Sequence, residues 1–382
     1  MKQVMRSTGL LACCLLSVSA WGWEMFEISP TANSQQWPSV SGDIVVWQEY
    51  VEYEPGLWDW DIYGADLAND PDGLIEVGAL EADQMRPSIW GTWVAWEDYF
   101  FGDPDVWVSD ISDPANVVHY EITPFEHDQA FPRVHGNTVV WQDEFVDPDT
   151  QLADWDIYAA DITDPSVPLL YPVAAFEADQ EQPDVYRSRV VWQDTYFQET
   201  DDIESADVWR RNAPDYFSVS YIQVAQTQPS TAGNYVIWQE DDGNGTVDLY
   251  GADVSDPDNP TEFLITQADG AQLNARLSGH LVVWQDNRDG AWNIYGFNMV
   301  TRQEFQITND IYNQTRPDID GLLVVFEDDF NEAGAIYGAR LSGPEVVGCP
   351  TPVAGDLTGD CRVTMEDLLV VAANWLADGR TE

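Results

Sequence analysis

Cationic side chains are scarce in this sequence of 382 residues. Lys2 is the only lysine, and 15 lysines and arginines stand against 68 aspartates and glutamates, which gives a net charge of −53. A surface of this charge repels polyanions and suits salty surroundings or divalent cations. The composition therefore excludes nucleic acid as a partner.

Catalytic motifs and histidines are scarce as well. The chain contains no HExxH, GxSxG or Walker sequence, and its four histidines are His119, His127, His135 and His280. Three of them fall between residues 119 and 135, so a metal centre for lyase chemistry is an alternative interpretation. With 68 acidic residues, the sequence does not single out a carboxylate pair for glycoside hydrolysis.

Cysteine occurs only four times, and two copies, Cys13 and Cys14, lie in the N-terminal segment. Residues 1–22 combine two cations with an apolar run from Gly9 to Ala20, which predicts a signal peptide and export to the cell surface, the exterior or the periplasm. A lipoprotein modified at Cys13 is the alternative. Cys349 and Cys361 then remain in an oxidising compartment, where we expect a disulfide. No other stretch is long and apolar enough for a membrane anchor in the mature chain.

One phrase recurs seven times at fixed spacing. Counting from a glutamine at position 0, a proline follows at position 3, a glycine at position 7, an aromatic residue at position 12 and a carboxylate at position 14, with Ala275 and Arg187 as the two exceptions. The glutamines are Gln35, Gln84, Gln129, Gln180, Gln226, Gln272 and Gln314, and the aromatic residues are Trp47, Trp96, Trp141, Trp192, Trp238, Trp284 and Phe326.

Each copy contains about four short strands. The run before the aromatic residue is continuously apolar, as in a strand buried on both faces, and a second run such as "WDIYGADL" and a shorter one such as "FQIT" follow it. Copies of 42 to 51 residues match the blades of a β-propeller. We predict an all-β, seven-bladed propeller over residues 23–343. The seventh copy lacks a fourth strand, which the N-terminal segment from Phe26 to Ser29 is predicted to supply.

The phrase "VVWQDNRDGAWNIYGFNM" followed by "FQIT" resembles the TolB-type, WD40-like propeller repeats of secreted and surface proteins. The resemblance covers about Phe26 to Leu341. It implies the fold and says little about function, because propellers carry many unrelated activities.

A separate module is predicted at residues 356–382, after a linker at 344–355. In "GDLTGDCRVTMEDLLVVAANWLADG" six residues stand at positions 1, 3, 5, 7, 9 and 12 of an EF-hand-type loop, which predicts a Ca²⁺ site; they are Asp356, Thr358, Asp360, Arg362, Thr364 and Asp367. Leu368, Val371, Ala372 and Trp375 then form the apolar stripe of a short helix.

Loop and helix together resemble one repeat of a type I dockerin. The resemblance implies docking onto a cohesin-like or surface protein, although a dockerin has two such repeats and this chain has one. Cys361 replaces the glycine at loop position 6, and a bridge to Cys349 would hold the loop. The alternative is a calcium-stapled cap that packs on the propeller.

Polar residues of the repeat belong to one face of the ring. The carboxylates at position 14, Glu49, Asp98, Asp143, Asp194, Glu240, Asp286 and Asp328, end the second strands, and the seven glutamines precede the first strands. A polar ring around a channel mouth is one interpretation. Structural hydrogen bonding, repeated in every copy, is the other.

The loops after the second strands of copies one to four break the repeat with aromatic side chains. They carry Tyr50, Tyr53, Trp58, Tyr99, Phe100, Phe101, Phe145, Tyr196 and Phe197. Aromatic faces among carboxylates suit a glycan or a protein ligand, while local packing is the alternative. We therefore expect a secreted, non-catalytic binding scaffold. The alternatives are a polysaccharide-degrading lyase or glycoside hydrolase and a structural component of a surface layer.

Overall fold

The computed structural model describes residues 23–146, 153–195, 201–241, 243, 245–330, 333–343 and 346. In these residues 28 strands form seven four-stranded antiparallel sheets. The predicted seven-bladed propeller is therefore confirmed. The described part of the chain contains no helix, and so none that is long and apolar enough to cross a membrane.

The strands follow one another along the chain with short connections. The first four blades, together with the N-terminal strand, comprise β1 (Glu24–Glu27), β2 (Gln35–Ser41), β3 (Ile44–Glu54), β4 (Leu57–Asp66), β5 (Asp70–Gly78), β6 (Gln84–Trp90), β7 (Trp93–Asp98), β8 (Asp105–Asp110), β9 (Val118–Glu121), β10 (Gln129–His135), β11 (Thr138–Val146), β12 (Ala153–Asp161), β13 (Leu169–Ala174), β14 (Gln180–Tyr186), β15 (Arg189–Asp194), β16 (Asp202–Asp207) and β17 (Asp215–Ser220). The last three comprise β18 (Ala225–Ala232), β19 (Tyr235–Asp241), β20 (Val247–Asp253), β21 (Thr261–Thr266), β22 (Gln272–Ser278), β23 (Leu281–Asp286), β24 (Asn293–Asn298), β25 (Gln303–Gln306), β26 (Gln314–Asp320), β27 (Leu323–Asp328) and β28 (Ala335–Arg340).

The two ends of the chain close the ring in one sheet. Blade seven has the strand order β1-β28-β27-β26, so the N-terminal strand is its outermost member, two residues earlier than the predicted Phe26 to Ser29. Phe26 lies opposite Gly338, and a methyl group on that glycine would collide with the phenyl ring. Phe305 covers Gly296 in the same way in blade six. This repeated contact explains why "MFEIS" takes the place of "EFQIT" in the last blade.

The hydrophobic core lies between adjacent blades. Trp47 is fully buried in a cluster with Leu323 and Val325 of blade seven, and Trp96 is buried against Val46 of blade one. The aromatic residue at position 12 of every copy is at most 1% exposed. Each blade therefore buries both faces against its neighbours, which requires the continuous apolar runs seen in the sequence.

The residue at position 2 forms a bulge in every innermost strand. These seven residues, Trp37, Arg86, Phe131, Gln182, Gln228, Asn274 and Arg316, have φ between 47° and 54°. Their backbone N–H groups turn out of the sheet and donate to the side chain at position 13 of the preceding blade, at 2.7 to 3.3 Å. The acceptors are Gln48, Glu97, Gln142, Gln193, Gln239, Gln285 and Glu327. The bond from Trp37 to Glu327 joins blade one to blade seven, so this belt of hydrogen bonds also closes the ring.

Several predicted features lie outside the described residues. They are the signal peptide at 1–22, the calcium loop from Asp356 to Asp367 with its helix, and the pair Cys349 and Cys361. These predictions stay predictions.

Candidate active site

The repeated glutamines and carboxylates are structural. In blade one the side-chain amide of Gln35 donates to Glu49 at 2.9 Å, and the indole N–H of Trp47 donates to the same carboxylate at 3.1 Å. The bond between indole and carboxylate recurs in blades three to six. These side chains lie within the blades, so the interpretation of a polar ring at a channel mouth is wrong and the structural interpretation is confirmed.

The side chains that line the central channel come from positions 4 and 6 of the innermost strands. Position 4 contributes Ser39, Ser88, Arg133, Asp184, Ser230, Arg276 and Asp318, and position 6 contributes Ser41, Trp90, His135, Tyr186, Ala232, Ser278 and Asp320. All fourteen residues line a single cavity of about 1400 Å³. It opens on the face that carries the hairpin turns between the first and second strands. The seven copies differ more at these two positions than at any position of the repeated frame.

One side of the channel is aromatic. Trp90, His135 and Tyr186 occupy position 6 of three consecutive blades, with ring centroids 5.0 Å apart for the first pair and 4.7 Å apart for the second. Trp90 is 41% exposed, so its ring is accessible from the cavity. Ser278, Asp320 and Ser41 hold position 6 in blades six, seven and one, so the opposite side of the channel is polar.

His135 is held as a neutral donor. Its Nδ1 accepts a hydrogen bond from the backbone N–H of Arg187 at 3.1 Å, so the proton of the neutral ring resides on Nε2. Burial lowers the pKa of His135 to about 4. At neutral pH this residue therefore offers an N–H group to a ligand rather than a positive charge.

His280 has the same tautomer as His135 but leaves its other ring nitrogen available. It lies at position 8 of the sixth copy, in a hairpin turn at the cavity rim, and its Nε2 is 3.2 Å from the carbonyl oxygen of Val346. A carbonyl only accepts, so Nε2 carries the proton and the lone pair of the neutral ring is on Nδ1. The cavity is thus lined by one histidine with a basic nitrogen and another with an N–H donor.

Asp318 and Asp320 lie two residues apart on β26, and both line the cavity. Asp318 accepts from the Ser39 hydroxyl at 3.0 Å and from the backbone N–H of Val40 at 2.9 Å. Asp320 accepts from the backbone N–H of Gly42 at 2.6 Å. Burial raises the pKa of Asp318, while Arg276 opposes this rise. Burial of Asp318 therefore favours its protonated form.

The aromatic loops predicted to bind a ligand lie on the other face of the propeller. None of Tyr50, Tyr53, Trp58, Tyr99, Phe100, Phe101 and Phe145 lines the cavity. Tyr50 stacks on Trp58 with centroids 5.5 Å apart, and Phe100 packs edge-on against Phe101 at 5.0 Å. Tyr196 and Phe197 lie outside the described residues.

The three clustered histidines do not meet. His119 lies on the outermost strand β9, where its Nδ1 is 2.7 Å from the hydroxyl of Ser109. His127 lies 3.9 Å from Glu144 near the other face, and only His135 faces the channel. Among the described residues, no group of three or more histidines, cysteines or acids is arranged to hold a metal ion. The sequence alternative of a metal centre built from this cluster is therefore not supported.

Neither a family model nor a curated protein sequence matches the chain. Solved structures do match its shape. The β-propeller domain of the trilobed protease from Pyrococcus furiosus is 12% identical, with 85% of this chain and 98% of that one covered and a TM-score of 0.61. An oligogalacturonate lyase from Vibrio parahaemolyticus is 11% identical, with 86% and 96% covered and a TM-score of 0.60. Identities this low establish the propeller fold alone.

Peptidases recur among these structures. The acylaminoacyl peptidase from Pyrococcus horikoshii is 13% identical with a TM-score of 0.56, and this chain spans about half of its length (49%). The expectation of a non-catalytic scaffold is corrected by this comparison, because the similar propellers belong mainly to peptidases and to a lyase. The absence of a familiar catalytic motif from a propeller sequence therefore does not exclude catalysis.

The channel residues were not predicted from the sequence, because the predictions relied on the positions that the seven copies share. The same seven copies nevertheless contain a pattern that indicates these residues. Positions 4 and 6 of an innermost strand point to one side, and there the copies change from serine to arginine, histidine or aspartate. Sites on a symmetric scaffold are found where the symmetry is broken.

Proposed function

We propose that the protein is an exported enzyme that cleaves glycosidic bonds of a carbohydrate chain in the central cavity. The observation that carries the proposal is the aromatic side of the channel, Trp90, His135 and Tyr186, which faces Ser278 and Asp320. Aromatic faces stack on sugar rings, and carboxylates and hydroxyls accept or donate to sugar hydroxyls. One of the similar solved structures, of which 96% is covered, is an oligogalacturonate lyase.

Elimination is the first reaction that we assign to the cavity. A base removes the proton on the carbon beside a carboxylate, the C–O bond to the leaving sugar breaks, and a C=C bond forms. His280 is assigned as the base, because its Nδ1 holds the lone pair. The departing oxygen needs a proton or a hydrogen bond, and we assign the Nε2–H of His135, on the aromatic side of the channel, as its donor.

The test uses purified full-length protein and a panel of acidic and neutral polysaccharides. We expect ultraviolet absorbance from the new double bond, and a loss of about 10²-fold or more in kcat for His280→Ala. Asn234→Ala is the matched control, because Asn234 holds the same position 8 in blade five and also lines the cavity. An equal loss in both variants, or no turnover of any polymer, would contradict the assignment.

Hydrolysis is a second candidate, favoured by Asp318 and Asp320. Side chains two residues apart on one strand are separated by roughly 7 Å, which is within the range for inverting glycosidases. Asp318, whose pKa burial raises, would be the acid and Asp320 the base. This reaction predicts new reducing ends without ultraviolet absorbance, and their loss in Asp320→Asn but not in His280→Ala.

For the C-terminal module we propose Ca²⁺ binding by Asp356, Thr358, Asp360, Arg362, Thr364 and Asp367, with docking onto a cohesin-like or surface protein. The support is the spacing of oxygen ligands in the sequence. Calorimetry on the full chain should show one Ca²⁺ bound, and Asp356→Ala should abolish the heat while Asp256→Ala, a surface-turn control, should not. Ca²⁺ binding that survives Asp356→Ala would reject this ligand set.

We also propose the aromatic loops as an accessory glycan surface of the enzyme. The stacked, exposed pair of Tyr50 and Trp58 supports it, because the two rings form one apolar face. Trp58→Ala should weaken binding to insoluble polysaccharide and leave turnover of short oligosaccharides unchanged. Unchanged binding to the insoluble polymer would reject this surface.

A further inference from the structure

The floor of the cavity carries two arginines whose guanidinium groups form no hydrogen bond with the described residues. Position 4 of the copies, read around the ring, is Ser39, Ser88, Arg133, Asp184, Ser230, Arg276 and Asp318. The two arginines come from blades three and six, on different sides of the channel. We propose that Arg133 and Arg276 together form a binding site for a carboxylate group of the ligand.

Five other arginines of the propeller contact carboxylates. Arg86 binds Glu97 at 2.8 Å, Arg316 binds Glu327 at 2.6 Å, and Arg340 binds Asp43 at 2.8 Å. The guanidinium groups of Arg133 and Arg276 make no hydrogen bond or ion pair within the described part of the chain, although both line the cavity. Two of the few cations thus line the central channel, where no described residue forms a hydrogen bond with their guanidinium groups.

The neighbouring aspartates are engaged elsewhere. Asp184 accepts from the backbone N–H of Thr231 at 2.8 Å, and Asp318 accepts from Val40 and Ser39. Both carboxylates therefore serve the bonds between blades. Their negative charges offset the positive charge of the cavity floor without a hydrogen bond to Arg133 or Arg276. The guanidinium N–H groups of these two arginines therefore stay available to a ligand.

Arg133 also experiences the positive charge of Arg276. Burial and the positive charge of Arg276 lower the pKa of Arg133 to about 10, against the attraction of Asp184 and Asp318. Two cations in a confined channel repel each other, and an anion between them relieves that repulsion.

The chemistry of the site favours a carboxylate. A guanidinium presents parallel N–H donors in a plane, which match the two oxygens of a carboxylate. Serines at position 4 of three blades, Ser39, Ser88 and Ser230, are small and leave room at this level of the channel. Uronic acids and the C-terminus of a peptide both present such a group. The sugar part of the ligand rests on the proposed function, whereas carboxylate binding rests on the two arginines alone.

The experiment is a calorimetric titration of the full chain at constant ionic strength with two matched pairs of probes. Galacturonate is compared with galactose, and N-acetylalanine with its amide. We expect binding of the acid and not of the neutral molecule in at least one pair, and the pair that responds identifies the source of the carboxylate. Equal behaviour of acid and neutral molecule in both pairs overturns the site.

Variants of the floor should change the affinity for the acidic probe in opposite directions. Arg276→Gln should weaken binding of the acid at least 10-fold. Asp184→Asn keeps an acceptor for Thr231 and removes a negative charge, so it should tighten binding several-fold. Arg302→Gln, at the cavity rim where Arg302 packs on Phe263, should change affinity less than 2-fold. Circular dichroism confirms that each variant is folded. A uniform loss in all three variants contradicts a specific role of the floor.

The two proposals fail in different ways. If the protein cleaves a neutral glycan and binds no carboxylate, the floor site is wrong and the enzyme stands. If acids bind with this pattern of variants and no polymer is cleaved, the site stands and the enzyme is wrong.

Discussion

Blades two and six surround the buried carboxylate at position 14 with different side chains. In blade two the carboxylate at position 14, Asp98, lies directly opposite Asp105 of the next strand. In blade six the corresponding pair is Asp286 and Asn293, and Arg288 binds Asp286 at 2.5 Å. One blade thus buries two acids face to face, while the other buries an acid with an amide and a cation. The two pairs have the same antiparallel register, so the blades can be compared by the charges that they bury.

The arrangement of blade two is the common one. Opposed acids occur in blades one to five, and the remaining pairs are Glu49 with Asp61, Asp143 with Asp156, Asp194 with Asp202, and Glu240 with Asp248. Burial, together with nearby carboxylates, raises the pKa of Asp105 and of Asp156 to about 7. Like charges directly opposite each other destabilise a sheet. The propeller therefore carries an electrostatic cost in five blades that blade six avoids.

Removing the cation from blade six should have the largest effect. Arg288→Met leaves the fully buried carboxylate of Asp286 with only its bonds to the Trp284 indole and to the backbone. We expect the free energy of unfolding to fall by about 3 kcal/mol, because breaking a buried ion pair strands a charge. Urea denaturation at pH 8 measures this. Arg340→Met, which breaks an exposed pair with Asp43, should cost less than about 1 kcal/mol.

The opposed acids should make the propeller more stable as the pH falls from 8 to 5.5. A group whose pKa is higher in the folded than in the unfolded state binds its proton more tightly when folded, so its contribution is lost as the pH rises through the folded pKa. The relevant folded pKa values are about 7 for Asp105 and Asp156 and about 6 for Asp202. We expect a gain of about 2 kcal/mol in the free energy of unfolding. Urea midpoints that stay level or fall toward pH 5.5 would argue against charged pairs.

Giving blade two the polar pair of blade six should have the smallest effect. Asp105→Asn removes one charge from the pair, and we expect about 1 kcal/mol of stabilisation at pH 8 and almost none at pH 5.5, where the wild-type acid is protonated. The reverse change, Asn293→Asp, should destabilise blade six only slightly, because Arg288 remains beside it. Equal shifts at both pH values would point to packing rather than charge.

Much of the fold could be predicted because it depends on sequence patterns that extend over a few residues. The fixed spacing from Gln272 to Trp284 identifies a blade, its sevenfold recurrence counts the blades, and "MFEIS" identifies the strand that closes the ring. The side chain at position 13 went unnoticed, although Gln285 and its equivalents bind the next blade, because its partner is a backbone N–H that only the bulge at position 2 exposes.

The site was less accessible to sequence reasoning. The aromatic loops near Tyr50 and Phe100 attracted attention because they are long and apolar, yet they lie on the face away from the cavity. The channel residues are isolated positions in the innermost strands, with no motif around them. Arg133 and Arg276 are 143 positions apart in the chain, and nothing in either neighbourhood indicates the other.

The sequence by itself therefore determined the blade, the number of blades and the closure of the ring, because strand alternation and turn chemistry act over a few residues and repeat. Tertiary structure alone decided which side chains share the channel and which acids face each other. Those relations depend on ring closure and on the register between strands joined by loops of unequal length. Such long-range geometry brings Trp90, His135, Tyr186 and the two arginines around one cavity.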